Sequence, residues 1–135
     1  MVNILDIIGD KWSLVVVRDI FIGRKSFGEF LASPEKISTS VLTSRLRLLE
    51  RAGIIKHVFS NCDKKVKWYY LTDRGIDLFP ILFEMIFWSK RNLNKEFHVL
   101  FQKWLKKYES LTPVQTIIEN QNNYKEKRKE LFEMQ

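Results

Sequence analysis

The stretch from Ser38 to Gly53 reads S-T-S-V-L-T-S-R-L-R-L-L-E-R-A-G and forms one helix with two unlike faces. At 100° per residue Leu46 and Leu49 fall within about 40° of Leu42, so the leucines make a single apolar stripe. Ser40, Ser44, Arg47 and Arg51 all fall within about 40° of the opposite pole, with Thr43 on the flank. No carboxylate stands near the centre of that far face, whereas an ordinary solvated face mixes both signs. Small hydroxyl residues let a helix backbone approach a partner closely, and arginines reach phosphates or guanine edges. The ends are also marked. Ser38 suits the N-cap, and Gly53 suits the left-handed position past the C-terminus. The stretch therefore reads as a recognition helix for the DNA major groove; taken alone, it reads equally well as an amphipathic surface helix.

The N-terminal residues support the first reading. Val2 to Ile8 is a short apolar helix ended by Gly9. Lys11 to Ile22 is a second helix, with Trp12, Val15, Val16 and Ile20 facing inward and contacts between Lys11 and Asp19 expected on its flank. Its valines also suit a buried strand, but Gly9, Gly23 and the length between them favour helix. After the basic turn Gly23-Arg24-Lys25, Ser26 caps a short helix with Glu29 at the capping-box position. Pro34-Glu35-Lys36 then turns the chain into Ile37 and the recognition helix, giving a helix-turn-helix pattern.

A hairpin comes directly after Gly53. Ile54 to Phe59 and Val66 to Leu71 are rich in β-branched and aromatic residues, and Ser60 to Lys65 is a polar turn. Tyr69 and Leu71 share one face of the second strand, and Trp68 and Tyr70 the other. Lys64 and Lys65 sit at the tip, with Lys67 just inside it. A basic hairpin directly after a recognition helix is a wing, which can track the phosphate backbone; lysine at a solvated tip is the plainer reading.

Thr72 is expected to cap a long helix that is apolar nearly all round from Ile76 to Trp88, with a kink at Pro80. Such a helix needs cover on more than one side, most simply from a second subunit, or else from the chain's own C-terminal segment. Phe97 to Tyr108 is amphipathic, with Leu100, Phe101, Trp104 and Leu105 apolar. Thr112-Pro113 then opens a last helix whose weaker stripe is Ile117, Ile118, Tyr124, Leu131 and Phe132. The organisation is thus a winged unit over residues 1–93 and a helical extension over 94–135, in a mainly α (α+β) fold.

Charge agrees with a polyanionic partner. The 135 residues hold 23 basic and 16 acidic side chains, a net charge of +7. Residues 1–75 carry 13 of the basic and eight of the acidic groups, so most of the excess lies with the recognition helix and wing. Cys62 is the single cysteine, which rules out an intrachain disulfide and a cysteine cluster for zinc. No basic n-region precedes an apolar run at the start, and the apolar stretch 76–88 is too short and too charged to span a bilayer. The expected location is the cytoplasm, with no membrane association. His57 and His98 stand in no metal-ligand pattern, and no G-x-S-x-G, P-loop or G-x-G-x-x-G occurs. Neither a cofactor nor catalysis is expected.

These residues resemble the HxlR-type winged helix-turn-helix regulators of bacteria. The resemblance runs from about Ile4 to Trp88. It includes Ile8-Gly9-Asp10-Lys11-Trp12, close to the family's I-G-G-K-W, then Arg18-Asp19 and Phe27-x-x-Phe30-Leu31. Ile37-Ser38-x-x-x-Leu42-Thr43-x-Arg45-Leu46-x-x-Leu49-Glu50-x-x-Gly53 is the longest piece, and Tyr69-x-Leu71-Thr72-x-x-Gly75 with Pro80 closes the match. It implies a homodimer that binds double-stranded DNA at a palindromic operator, with the first and late helices building the dimer. Many members carry a thiol sensor just before the first helix; here Cys62 lies in the wing instead. The segment after Asn94 is longer than is usual in the family.

The expected DNA-binding residues are accordingly Ser40, Thr43, Ser44 and Arg47 for bases, and Arg51, Lys64, Lys65 and Ser26 for phosphates. Ser38 at the helix start and Arg45 complete the set. Arg45 stands at the edge of the apolar stripe, where a phosphate or an internal carboxylate suits it equally. Trp12, Trp68, Tyr69, Trp88 and Trp104 read as core or interface, or as the lining of an effector pocket between wing and late helices. An alternative is a winged-helix interaction module that holds a partner through residues 94–135 without reading DNA sequence.

Overall fold

A computed structural model describes residues 3–93 and 99–133. The chain opens with four helices, α1 (Ile4–Ile8), α2 (Lys11–Phe21), α3 (Phe27–Leu31) and α4 (Thr39–Arg51). Strands β1 (Ile55–Phe59) and β2 (Lys67–Leu71) come next, and α5 (Asp73–Ile76), α6 (Phe79–Asn92), α7 (Val99–Tyr108) and α8 (Pro113–Glu133) complete the chain.

Each early helix begins where a short polar side chain takes up orphan backbone N–H groups. Asn3 and Asp6 form a capping box on α1, and Ser26 and Glu29 form one on α3. Asp10 accepts from the N–H groups of Trp12 and Ser13 at the start of α2. Ser38 accepts from Val41 N–H at the start of α4. Past the end of α4 Gly53 takes φ +74°, the left-handed conformation expected at its position. The apolar stripe of α4 is buried as expected: Leu42, Leu46 and Leu49 pack with Val16, Val17 and Ile20 of α2.

The hairpin is antiparallel, in a register that sets Ile55 opposite Leu71 and Phe59 opposite Lys67. Each strand starts one residue later than the sequence suggests. The far edge of β2 is taken up twice, by the Lys25 carbonyl, which accepts from Tyr69 N–H (2.7 Å), and by the Tyr124 hydroxyl, which accepts from Leu71 N–H (2.8 Å).

Two expectations require correction. Pro80 kinks nothing: the helix expected from Thr72 to Trp88 is two helices, and Pro80 is the second residue of α6, where a missing N–H has no intrahelical partner to lose. Asp19 does not meet Lys11. It is 1% exposed and pairs with Arg18 (2.8 Å) and Arg24 (2.9 Å).

The C-terminal helices return to the winged unit. Trp104 of α7 packs against Phe83 and Phe87 of α6. From α8, Tyr124 packs edge-on against Phe21, and Phe132 against Tyr70. Arg128 donates to the Leu71 carbonyl and to Asp73 Oδ1, and Gln121 donates to the Ile76 carbonyl. Phe97 and His98 lie outside the described residues. The side chains of Leu100 and Phe101 lie outside them too.

Candidate nucleic-acid interface

The far face of α4 is open. Ser40, Ser44, Arg47 and Arg51 are exposed, and Thr43 is half-buried beside them. The wing stands next to this face and leaves a cleft of about 600 Å³ between α3, α4 and β2. Ser26, Thr43, Arg47 and Lys65 all line it. Four of the expected DNA-binding residues, from three separate parts of the chain, thus converge on one concave surface.

Local hydrogen bonding places the rest. Ser26 is held in its cap, with Oγ donating to Glu29 Oε1 (3.0 Å). Ser38 is likewise a cap, and its Oγ lies 3.4 Å from that of Ser40. Arg51 Nε reaches back to the Arg47 carbonyl at 3.5 Å. At the wing tip Ser60 Oγ accepts from the N–H groups of Cys62 and Asp63, and Asp63 accepts from Lys65 N–H. These bonds curl the tip and leave the Lys64 and Lys65 side chains exposed.

Arg45 turns inward. Its Nε donates to Asp10 Oδ1 (2.9 Å) and its Nη1 to Ser44 Oγ (3.2 Å). Of the two roles the sequence leaves open, the internal carboxylate is the one occupied. Burial works against the Asp10 charge, yet hydrogen bonds from Ser13 and then Arg45 hold its pKa below the usual carboxylate value.

A second network fixes the turn into α4. Arg18 donates to both carboxylate oxygens of Glu35, to Asp19 and to Ser33 Oγ, and Ser33 Oγ donates to Glu35. The hydrogen bonds from Arg18 pull the Glu35 carboxyl down to about 2 and raise the Arg18 guanidinium above its ordinary value. Within this turn Lys36 takes φ +56°, which a non-glycine residue holds only when its surroundings fix it.

Several contributors escape the sequence pattern. Glu50, Val66 and Tyr69 also line the cleft, together with Lys67, which the sequence already sets just inside the wing tip. Glu50 Oε1 lies 2.7 Å from His57 Nδ1, which ties α4 to β1. Burial, and then the nearby Glu50 charge, push the Tyr69 phenol up. Lys25 sits 4.1 Å over the Trp68 ring, so that aromatic side chain is covered by a cation. The pairing of Asp10 with Arg45 had a sequence signal, since an acid stands at the third position of I-G-D-K-W and Arg45 at the stripe edge. No aromatic lines the small hollow of about 450 Å³ between α5 and α8, which is bounded by Asp73, Arg74, Gln121 and Lys125 among others. Among the described residues no His, Cys, Asp and Glu cluster can hold a metal, and no helix is long and apolar enough to cross a membrane.

A buried-stripe helix lying across α2, presented beside a basic hairpin, defines a winged helix-turn-helix unit. The chain belongs to the HxlR-like helix-turn-helix family, whose profile matches residues 7–97. It is 38% identical over 84 residues to sll1512 of Synechocystis sp. (strain ATCC 27184 / PCC 6803 / Kazusa), named an uncharacterized HTH-type transcriptional regulator; the match covers 62% of each chain. It is 39% identical over 88 residues to YdeP of Bacillus subtilis (strain 168), which bears the same description, and there the match covers 64% of this chain and 68% of YdeP. Among solved structures, PA1607, described as a putative transcription factor, superimposes with a TM-score of 0.63 at 38% identity, over 70% of this chain and 67% of that one. The oxidized form of the redox regulator HypR superimposes with a TM-score of 0.60 at 34% identity, over 67% of this chain and 94% of HypR.

Proposed function

We propose that the protein is a sequence-specific DNA-binding transcriptional regulator that acts as a homodimer on a palindromic operator. The observation that carries this reading is the open, carboxylate-free centre of the α4 face beside the basic wing, with Ser26, Thr43, Arg47 and Lys65 around one cleft. In this reading α4 enters the major groove, Ser40, Thr43, Ser44 and Arg47 face base edges, and Arg51, Ser26, Lys64 and Lys65 face phosphates. Ser38 presents the helix N-terminus, and Arg45 acts from behind the face. The names of the relatives, HTH-type transcriptional regulators, support the same assignment, and a DNA partner implies the cytoplasm of a bacterial cell.

The homodimer is supported by an apolar strip. Ile81, Met85 and Trp88 run along one face of α6 at helical spacing and are 40%, 49% and 52% exposed. Ile4 and Leu5 of α1 are exposed as well. A second copy covers such a strip and sets two α4 helices on half-sites on the order of 34 Å apart. Residues 1–93 are the DNA-binding unit in this reading and residues 94–135 its extension, whose helices α7 and α8 brace it.

The test is binding of the purified chain to DNA upstream of its own gene and to a scrambled duplex of equal length, across a salt series. Many-fold tighter binding to the upstream DNA, at two subunits per site, supports the proposal. Equal and steeply salt-dependent binding to both overturns sequence specificity.

A further inference from the structure

Two adjacent hydroxyls on α4 are already engaged, one as a donor and one as an acceptor. Thr43 Oγ1 lies 2.8 Å from the Thr39 carbonyl oxygen. A carbonyl only accepts, so the Thr43 proton is committed there and its oxygen is left to act as an acceptor. Ser44 Oγ lies 3.2 Å from Arg45 Nη1. A guanidinium only donates, so Ser44 accepts from Arg45 and its own proton is available to a partner. Arg45 is itself held by Asp10, which is fixed by the N–H groups of Trp12 and Ser13 and by the Ser13 hydroxyl. The donor role left to Ser44 is thus supported from the start of α2.

We propose that Thr43 is a base-selecting acceptor that chooses the exocyclic amino group of adenine or cytosine, and that Arg45 is a positioning residue that presents Ser44 as a donor. The inference rests on α4 being the recognition helix. On the major-groove edges the only donors are adenine N6 and cytosine N4, whereas N7, O6 and O4 accept. Phosphate oxygens only accept, so an acceptor hydroxyl has nothing to gain from the backbone. Thr43 lines the same cleft as Arg47, one helical turn on, whose donors suit guanine O6 and N7. The two side chains therefore ask for different base pairs, and the step between them is part of the operator code.

The experiment is selection of a duplex library with a randomised core by the full chain and by Thr43→Val and Thr43→Ser. Valine keeps the branched shape and removes the acceptor, while serine keeps the hydroxyl. The wild type is expected to enrich adenine or cytosine at one position of each half-site. Thr43→Val is expected to lose that preference and roughly 3- to 10-fold in affinity, and Thr43→Ser to keep the preference. On the selected duplex, an analogue lacking the amino group (purine for adenine, 2-pyrimidinone for cytosine) should weaken the wild type and leave Thr43→Val unaffected. If Thr43→Val enriches the same motif as the wild type, the acceptor role is overturned and the recognition-helix reading stands. If the wild type enriches nothing, that reading fails and takes this inference with it. Arg45→Met is expected to change the base preference opposite Ser44 only while Ser44 is present, and to leave the salt slope of binding unchanged. A slope shallower by about 1 for each subunit identifies Arg45 as a phosphate contact and overturns its positioning role.

Discussion

Replacing Tyr124 by phenylalanine removes one oxygen atom and tests how firmly the C-terminal helix belongs to the winged unit. Leu71 is fully buried, and its N–H at the end of the wing donates to the Tyr124 hydroxyl at 2.8 Å. Burial pushes the Tyr124 phenol up to about 12, against the opposing effect of that N–H, so the side chain is a neutral acceptor at any working pH. In the variant the ring stays on Phe21, and the Leu71 N–H loses its partner. A buried donor left unpaired costs about 1–3 kcal/mol. For a chain of this length, 1 kcal/mol corresponds to about 3–4 °C in Tm, so a drop of about 3–12 °C is expected. Urea denaturation monitored by circular dichroism gives the free-energy loss. Amide exchange at Leu71 locates it, and that amide should lose protection first. A variant within about 0.5 kcal/mol of wild type, with Leu71 exchange unchanged, refutes the argument that α8 completes the sheet edge.

The same geometry makes further predictions. If the wing tip contacts phosphates, Lys64→Gln with Lys65→Gln makes the plot of log affinity against log salt shallower by roughly 1 for each lost contact, and an unchanged slope removes the wing from the site. The Glu35 carboxyl sits at about 2 when folded against an ordinary 4.5. The folded state therefore binds fewer protons between those values, and the stability from the Arg18 pair is complete above about pH 4.5 and lost as pH falls toward 2. Allowing for the partial exposure of both groups, the loss is on the order of 1–2 kcal/mol. It should be absent from Glu35→Gln in acid denaturation monitored by tryptophan fluorescence.

Local signals carried much of this architecture. The caps at Ser26, Ser38 and Thr72 are short-range devices, and each forms as its spacing suggests. The leucine stripe of α4 and the alternation in β2 are one-dimensional periodicities, and both survive folding with their boundaries nearly unchanged. Pro80 misleads because a proline inside a continuous apolar run looks the same whether it bends a helix or begins one. The difference lies two residues upstream, where Asp77 closes α5 and Leu78 opens α6. Asp19 meets other partners than its sequence neighbours suggest, because charge complementarity along a helix is weak evidence beside a carboxylate enclosed by Arg18 and Arg24. Cover by the C-terminal segment is one of two options that the apolar run 76–88 leaves open, but where α8 lands is not legible. The Tyr124–Leu71 bond joins residues 53 positions apart, and no periodicity encodes which buried N–H a tyrosine will reach. Within the candidate site the exposed face of α4 is readable. The inward turn of Arg45 depends on Asp10, 35 residues upstream.

If α4 reads sequence, Arg47 on its exposed face must discriminate between duplexes. Affinity should be measured for wild type and Arg47→Ala on the duplex enriched from the random library and on a scrambled duplex at the same salt. A loss of about 1–3 kcal/mol is expected on the enriched duplex and much less on the scrambled one, so that the ratio between the two collapses. An equal loss on both contradicts base reading by Arg47 and leaves it a phosphate contact. No loss on either removes the centre of the α4 face from the interface.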